Sequence, residues 1–111
     1  LKQYLENKMT REELFKMHED MSRYALDLMK KKNADYSGSD GVNPFANFKR
    51  AEALGICTTE QAFLVRMTDK MSRLSSFSAK GKLVVEDESV YDTLIDMINY
   101  SVLLAAYLKS K

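Results

Sequence analysis

With 111 residues the chain has room for one domain with a modest core and not for two. Seventeen Lys and Arg against sixteen Asp and Glu leave a net charge of +1, so no global field points to nucleic acid or to an acidic membrane, and any basic site has to be local. A single cysteine, Cys57, and a single histidine, His18, exclude an internal disulfide, a Cys- or His-rich metal site and, unless His18 is the base, a Ser-His-Asp triad; this usage suits a reducing cytoplasm.

The elements read as helices throughout. Thr10 followed by Glu13 is a capping box, and Leu14, Met17, Met21, Tyr24 and Leu28 recur at helical spacing, which predicts a helix from about Arg11 to Lys32. A break from Asn33 to Asn43 follows, with Gly38 and Gly41 among Ser37, Ser39 and Asp40. Asn43 and Pro44 read as N-cap and first residue of a short helix that Gly55 ends. Thr58 with Gln61 is a second capping box and opens a long helix, apolar at Phe63, Leu64, Met67, Met71 and Leu74, which Gly81 ends. Asp87 is the expected N-cap of the last helix, and the Val84-Val85 pair before it is too short for a sheet. The pattern predicts an all-α bundle of three long helices and one short one, covering residues 1–111 as a single domain. The longest apolar run, Val102 to Leu108, is far short of the ~20 residues that cross a bilayer. No signal peptide is visible, and a start at Leu1 rather than methionine carries the expectation that the true N-terminus lies upstream.

Three segments carry chemistry. In the last helix Glu88, Asp92, Asp96 and Asn99 fall within roughly 80° of one another on a helical wheel, inside an otherwise apolar stretch. Asp92 and Asp96 repel each other at i,i+4, and a divalent cation such as Mg²⁺, or arginines from a neighbouring helix, would remove that penalty. The break and short helix offer Lys32, Asn33, Asp35, Tyr36, Asn47 and Phe48: aromatic faces to stack on a base, amides to read its edge, cations and a helix N-terminus to hold phosphate. The bland alternative is a loop whose Phe45 and Phe48 anchor the short helix, with Lys30 to Lys32 a solvated helix end. In the third helix Arg66, Asp69, Lys70 and Arg73 share one face. They form either a self-contained ion-pair ladder or the far wall of a cleft against the acidic stripe, with Asp69 a metal ligand and the cations on phosphate. An apolar face on the last helix is also available for oligomerisation.

Four runs taken together resemble a family: Lys32 to Tyr36, Asn43 to Phe48, Val65 to Leu74 and Glu88 to Tyr100. They look like small all-helical phage and bacterial proteins of a nucleotide-modification-associated domain family, similar in pattern to MazG-type all-α nucleoside triphosphate pyrophosphohydrolases. The resemblance implies a MazG-like bundle in a bacterial cytoplasm, encoded by a phage or its host, assembled as a homo-oligomer (dimer or tetramer), with no membrane or direct nucleic-acid partner. It implies Mg²⁺-dependent cleavage of an NTP or dNTP into monophosphate and pyrophosphate, through Glu-x-x-Glu on one helix and Glu-x-x-Asp on the next, often with a Tyr one turn later. Asp96 and Tyr100 match the latter pair. Thr93 stands in place of the second motif's Glu, and Arg66 with Asp69 in place of Glu-x-x-Glu. On this reading Asp69, Asp92 and Asp96 are catalytic, the same three with Glu88 hold Mg²⁺, and Lys32, Asn33, Asp35, Tyr36, Asn47, Phe48, Arg66, Lys70, Arg73, Asn99 and Tyr100 bind the nucleotide. Two rival readings use the same bundle without chemistry: a protein that binds a nucleotide intact, to sequester a signal or assist DNA-base modification, and an interaction module with no small ligand.

Overall fold

The computed structural model describes residues 8–35 and 43–111, and every regular element among them is a helix. Helix α1 is Arg11–Asp35, α2 is Ala46–Ala53, α3 is Thr59–Ala79 and α4 is Glu88–Ser110. The expected all-α architecture of three long helices and one short one is present.

Local chemistry sets most of the boundaries. At α1 the Thr10 hydroxyl accepts from the Glu13 amide at 3.1 Å and the Glu13 carboxylate accepts from the Thr10 amide at 3.4 Å, so the box satisfies two otherwise unpaired donors. The Thr58–Gln61 box opens α3 in the same way, with bonds of 3.1 and 3.0 Å. Asp87 caps α4 by accepting from the amides of Ser89 and Val90. The glycine stops hold as well. Gly55 and Gly81 have φ of +75° and +67°, and beside them Ile56 and Lys82 donate back five residues in Schellman fashion, to the carbonyls of Ala51 and Phe77. Two boundaries differ from expectation: α1 runs past Lys32 through Asn33 to Asp35, and α2 begins late. Asn43 does not cap α2; its side-chain oxygen accepts from the Phe45 amide at 3.0 Å, an Asx turn that carries Pro44 around a bend and delays the helix to Ala46.

Helix α4 is central. It packs against α1 on one flank and α3 on the other, α2 packs on α3, and α1 and α3 do not meet. Helix α4 therefore lies between the other two long helices. The core is concentrated between α2, α3 and α4, where Phe48 stacks on Phe63 with ring centroids 3.8 Å apart and planes 10° from parallel. Phe63, Ile95 and Thr59 are fully buried, with Val90, Thr93 and Ala25 nearly so. Glu52 ties α2 to the start of α3 by accepting from both the amide and the hydroxyl of Thr59. No helix among the described residues is long and apolar enough to cross a membrane.

Candidate functional site

Because α1 and α3 do not touch, a trough runs between them with α4 as its floor and α2 closing one end. It encloses a cavity of about 520 Å³. The floor is α4, with Asp96, Asn99, Tyr100 and Leu103; α1 gives Leu26, Met29, Lys30, Lys32 and Asn33, the α2 end gives Pro44, Asn47 and Phe48, and α3 gives Arg66. Asp96, Asn99, Tyr100 and Leu103 share a face because i, i+3, i+4 and i+7 return to one side of a helix.

The charge inside is predominantly positive. Lys30, Lys32 and Arg66 face a single carboxylate, Asp96. Asp96 spans the trough, with Lys32 of α1 at 3.5 Å and Lys70 of α3 at 2.9 Å. Lys70 and Asp96 are both mostly buried, at 17% and 18% side-chain exposure, so this pair is better shielded from water than the Lys32 contact, where the lysine is 48% exposed. The Lys70 ammonium also lies 6.0 Å from the Tyr100 ring centre, and the Tyr100 ring meets Phe48 edge-on at 6.2 Å. On the α1 side, the Asn99 amide donates to the Ala25 carbonyl at 3.0 Å, which fixes the register of α1 on α4. Asn47 is oriented by Arg50, whose guanidinium donates to its side-chain oxygen at 3.3 Å.

The trough thus brings together Lys32, Asn33, Asn47, Phe48, Arg66, Asp96, Asn99 and Tyr100 from four separated stretches of sequence, with Lys70 joined through Asp96. Asp69, Arg73, Glu88 and Asp92 are exposed and do not line it. Asp35 ends α1, its side chain outside the described residues, and Tyr36 lies outside them altogether. Phe48 is only 8% exposed and its face is taken by Phe63, so it serves as an anchor for α2 and lends the cavity an edge. Lys30 is the site cation that a helix-dipole reading assigns to solvent; its position three residues before Asn33 is the clue to its place on the same wall. Leu26, Met29 and Leu103 carry no comparable clue, since an apolar side chain in a cavity wall looks like any core residue.

The carboxylates expected around a metal do not gather. No group of three or more Asp, Glu, His or Cys placed to hold an ion occurs among the described residues. The reason is geometric. Thr93, where the second motif has Glu, is 1% exposed and spends its hydroxyl on the Ser89 carbonyl at 2.7 Å, and Arg66 brings a cation into the trough where the first motif has an acid. Asp69 forms no ion pair among the described residues, so the ladder with Arg73 is not made. Among the described residues the trough offers a cation one carboxylate, Asp96.

No curated protein and no solved structure matches the chain, so the likeness to MazG-type enzymes has no relative to carry it. The family model described as "Nucleotide modification associated domain 1" does match, over residues 32–106, about two-thirds of the sequence. That span takes in α2, α3, most of α4 and every cavity residue from Lys32 onward, and the chain belongs to this family.

Proposed function

We propose that the chain is a nucleotide-binding protein whose ligand occupies the trough over α4, the phosphates toward Lys30, Lys32 and Arg66 and the base toward Asn33, Asn47 and Tyr100. The observation that carries this reading is the composition of the cavity: three cations against one carboxylate, beside two amides and an aromatic ring. Its volume of about 520 Å³ is within the ~300–1,000 Å³ span of small-molecule sites. Lysine and arginine along an open wall hold phosphate oxygens through charge-assisted hydrogen bonds, and amide groups can read the edge of a base. Membership of a nucleotide-modification-associated family supports the same ligand class.

Two uses of such a ligand are open to this family pattern, retention intact and hydrolysis to monophosphate and pyrophosphate. The donor set supports retention. Asp96, the one carboxylate in the trough, already neutralises two lysines, and a general base or metal ligand needs its lone pairs free. On binding, an incoming phosphate competes with Asp96 for Lys32, the more exposed and longer of its two contacts, while Lys70 keeps the carboxylate in place.

The test is equilibrium dialysis of the protein against NTPs, dNTPs and cyclic dinucleotides with and without Mg²⁺, followed by chromatography of the contents. Retention of an unchanged nucleotide, lost in Arg66→Ala, is the expected result. Conversion to monophosphate and pyrophosphate only with Mg²⁺ would replace retention by the pyrophosphohydrolase reading, and no retention or conversion of any ligand would remove both.

A further inference from the structure

With phosphates toward the cations and the base toward the α2 end, two polar side chains on the floor of the trough have no ligand atom to meet, Asp96 and Asn99. The hydrogen bonds already made in the trough fix what each group has left to offer. A guanidinium only donates, so the 3.3 Å contact with Arg50 takes the side-chain oxygen of Asn47 and leaves its N–H groups for a ligand. A backbone carbonyl only accepts, so the 3.0 Å contact with Ala25 takes an N–H of Asn99 and leaves its Oδ1, which accepts no hydrogen bond among the described residues.

Asp96 divides its two oxygens unequally. Oδ2 is held at 2.9 Å by Lys70 in a mostly buried pair, whereas Oδ1 has only the 3.5 Å contact with the half-exposed Lys32. A phosphate that recruits Lys32 therefore releases Oδ1 as an acceptor. The walls and the α2 end donate, through Lys30, Lys32, Arg66 and Asn47, and the floor accepts.

Few parts of a nucleotide answer an accepting floor. Ionised phosphate oxygens have no hydrogen to donate and are repelled by a carboxylate. The paired N–H groups of a guanine edge engage both oxygens of a carboxylate, and Oδ2 of Asp96 is committed to Lys70. Sugar hydroxyls donate singly, and a ribose carries two on adjacent carbons. Asp96 and Asn99 stand at i,i+3 on α4, where Cβ atoms are about 5–6 Å apart, a spacing at which one vicinal pair can donate to both.

We infer that Asp96 and Asn99 form a sugar subsite that selects a ribonucleotide over its 2′-deoxy and 3′-deoxy counterparts. One hydroxyl donates to Oδ1 of Asp96 in a charge-assisted bond and its neighbour donates to Oδ1 of Asn99. A ligand lacking either hydroxyl leaves an acceptor on the half-buried floor unanswered, and the penalty falls on the deoxy forms. The subsite presupposes the nucleotide reading and adds to it the class of sugar.

Calorimetric titration of the four ribonucleoside triphosphates, each beside its 2′-deoxy and 3′-deoxy form, tests it in wild type and in Asp96→Asn. The ribose form is expected to bind at least about tenfold more tightly than either deoxy form. In Asp96→Asn the side-chain oxygen stays on Lys70, which only donates, and an uncharged N–H faces the sugar, so the preference should fall to within about threefold. Equal or tighter binding of the deoxy forms by wild type would overturn the subsite and leave the nucleotide reading standing. So would a ribose preference that Asp96→Asn keeps, or a loss in that variant confined to guanine ligands of either sugar. Binding of none of the set, in wild type, would remove the nucleotide reading for these ligands and the subsite with it. Should Asp96→Asn fail to fold, the 2′-fluoro forms decide in wild type: fluorine cannot donate, so they should bind as weakly as the 2′-deoxy forms, and ribose-like binding would overturn the subsite.

Discussion

The two flanks of α4 are held by different means. Toward α2 and α3 the packing is aromatic: Phe48 lies on Phe63, Tyr107 contacts Phe63 at 5.8 Å and Phe45 at 5.6 Å, and Tyr100 meets Phe48 edge-on. Toward α1 it rests on one small buried residue, Ala25, an edge contact between Tyr24 and Tyr91 at 5.6 Å, the hydrogen bond from Asn99 and the long Lys32–Asp96 contact. Large rings fill the space on the dense flank, and the thinner packing toward α1 leaves room for the trough, which Phe48 and Tyr100 border. Stability is thus concentrated on one side of α4, and the walls that must admit a ligand stand where packing is sparse.

The largest expected effect comes from removing the ring on which the dense flank is built. Phe63→Ala should cost about 3–5 kcal/mol, read as a lower denaturant midpoint at unchanged slope, because Phe63 is fully buried and stacked. A loss under about 1 kcal/mol would mean that the aromatic cluster does not carry the fold. Next is the ligand itself. Arg66→Ala should weaken nucleotide binding at least tenfold, about 1.4 kcal/mol, with little change in melting temperature since Arg66 is exposed. An equal loss of binding and of stability would show instead that Arg66 is structural.

Asn99→Ala sharpens the contrast between flanks. It removes the α4 to α1 hydrogen bond, should cost about 1 kcal/mol, and should speed amide exchange in α1 while exchange in α3 stays as in wild type. Uniform acceleration through all four helices would mean that the flanks open together. The smallest effect concerns Glu60 and Lys111, paired at 2.6 Å between the start of α3 and the end of α4. The hydrogen bond from Lys111 holds the Glu60 carboxyl below the ordinary glutamate range, aided by a backbone hydrogen bond. A lowered folded value means that the contribution is complete above the unfolded pKa and disappears as pH falls through the folded one. Glu60→Gln should therefore flatten the acid limb of the stability curve slightly and leave neutral pH almost untouched, as exposed pairs do.

Elements whose ends are fixed by neighbours in sequence were the legible ones. The boxes at Thr10 and Thr58, the cap at Asp87 and the stops at Gly55 and Gly81 depend on bonds that close within a few residues, so residue type and spacing suffice. The Asn43–Pro44 boundary was misplaced because the same residue types serve an Asx turn as readily as an N-cap. The site was partly legible for a similar reason. Asp96, Asn99 and Tyr100 share a helix face in any α4, but whether an acid on that face meets a metal, a lysine or solvent depends on which side chains α1 and α3 bring to it.

Sequence alone settled the helices, their order and the candidate residues, because those follow from local hydrogen bonding and from the 3.6-residue period. Tertiary structure decided that Lys32 and Lys70 converge on Asp96 across 64 and 26 residues of chain, that Thr93 is buried, and that Asp69, Glu88 and Asp92 stay apart from the trough. It also decided that α1 and α3 do not pack on each other, which opens the trough over one face of α4. Those outcomes turn on the angle and offset at which whole helices pack, and these are set by the summed fit of many side chains rather than by any short pattern.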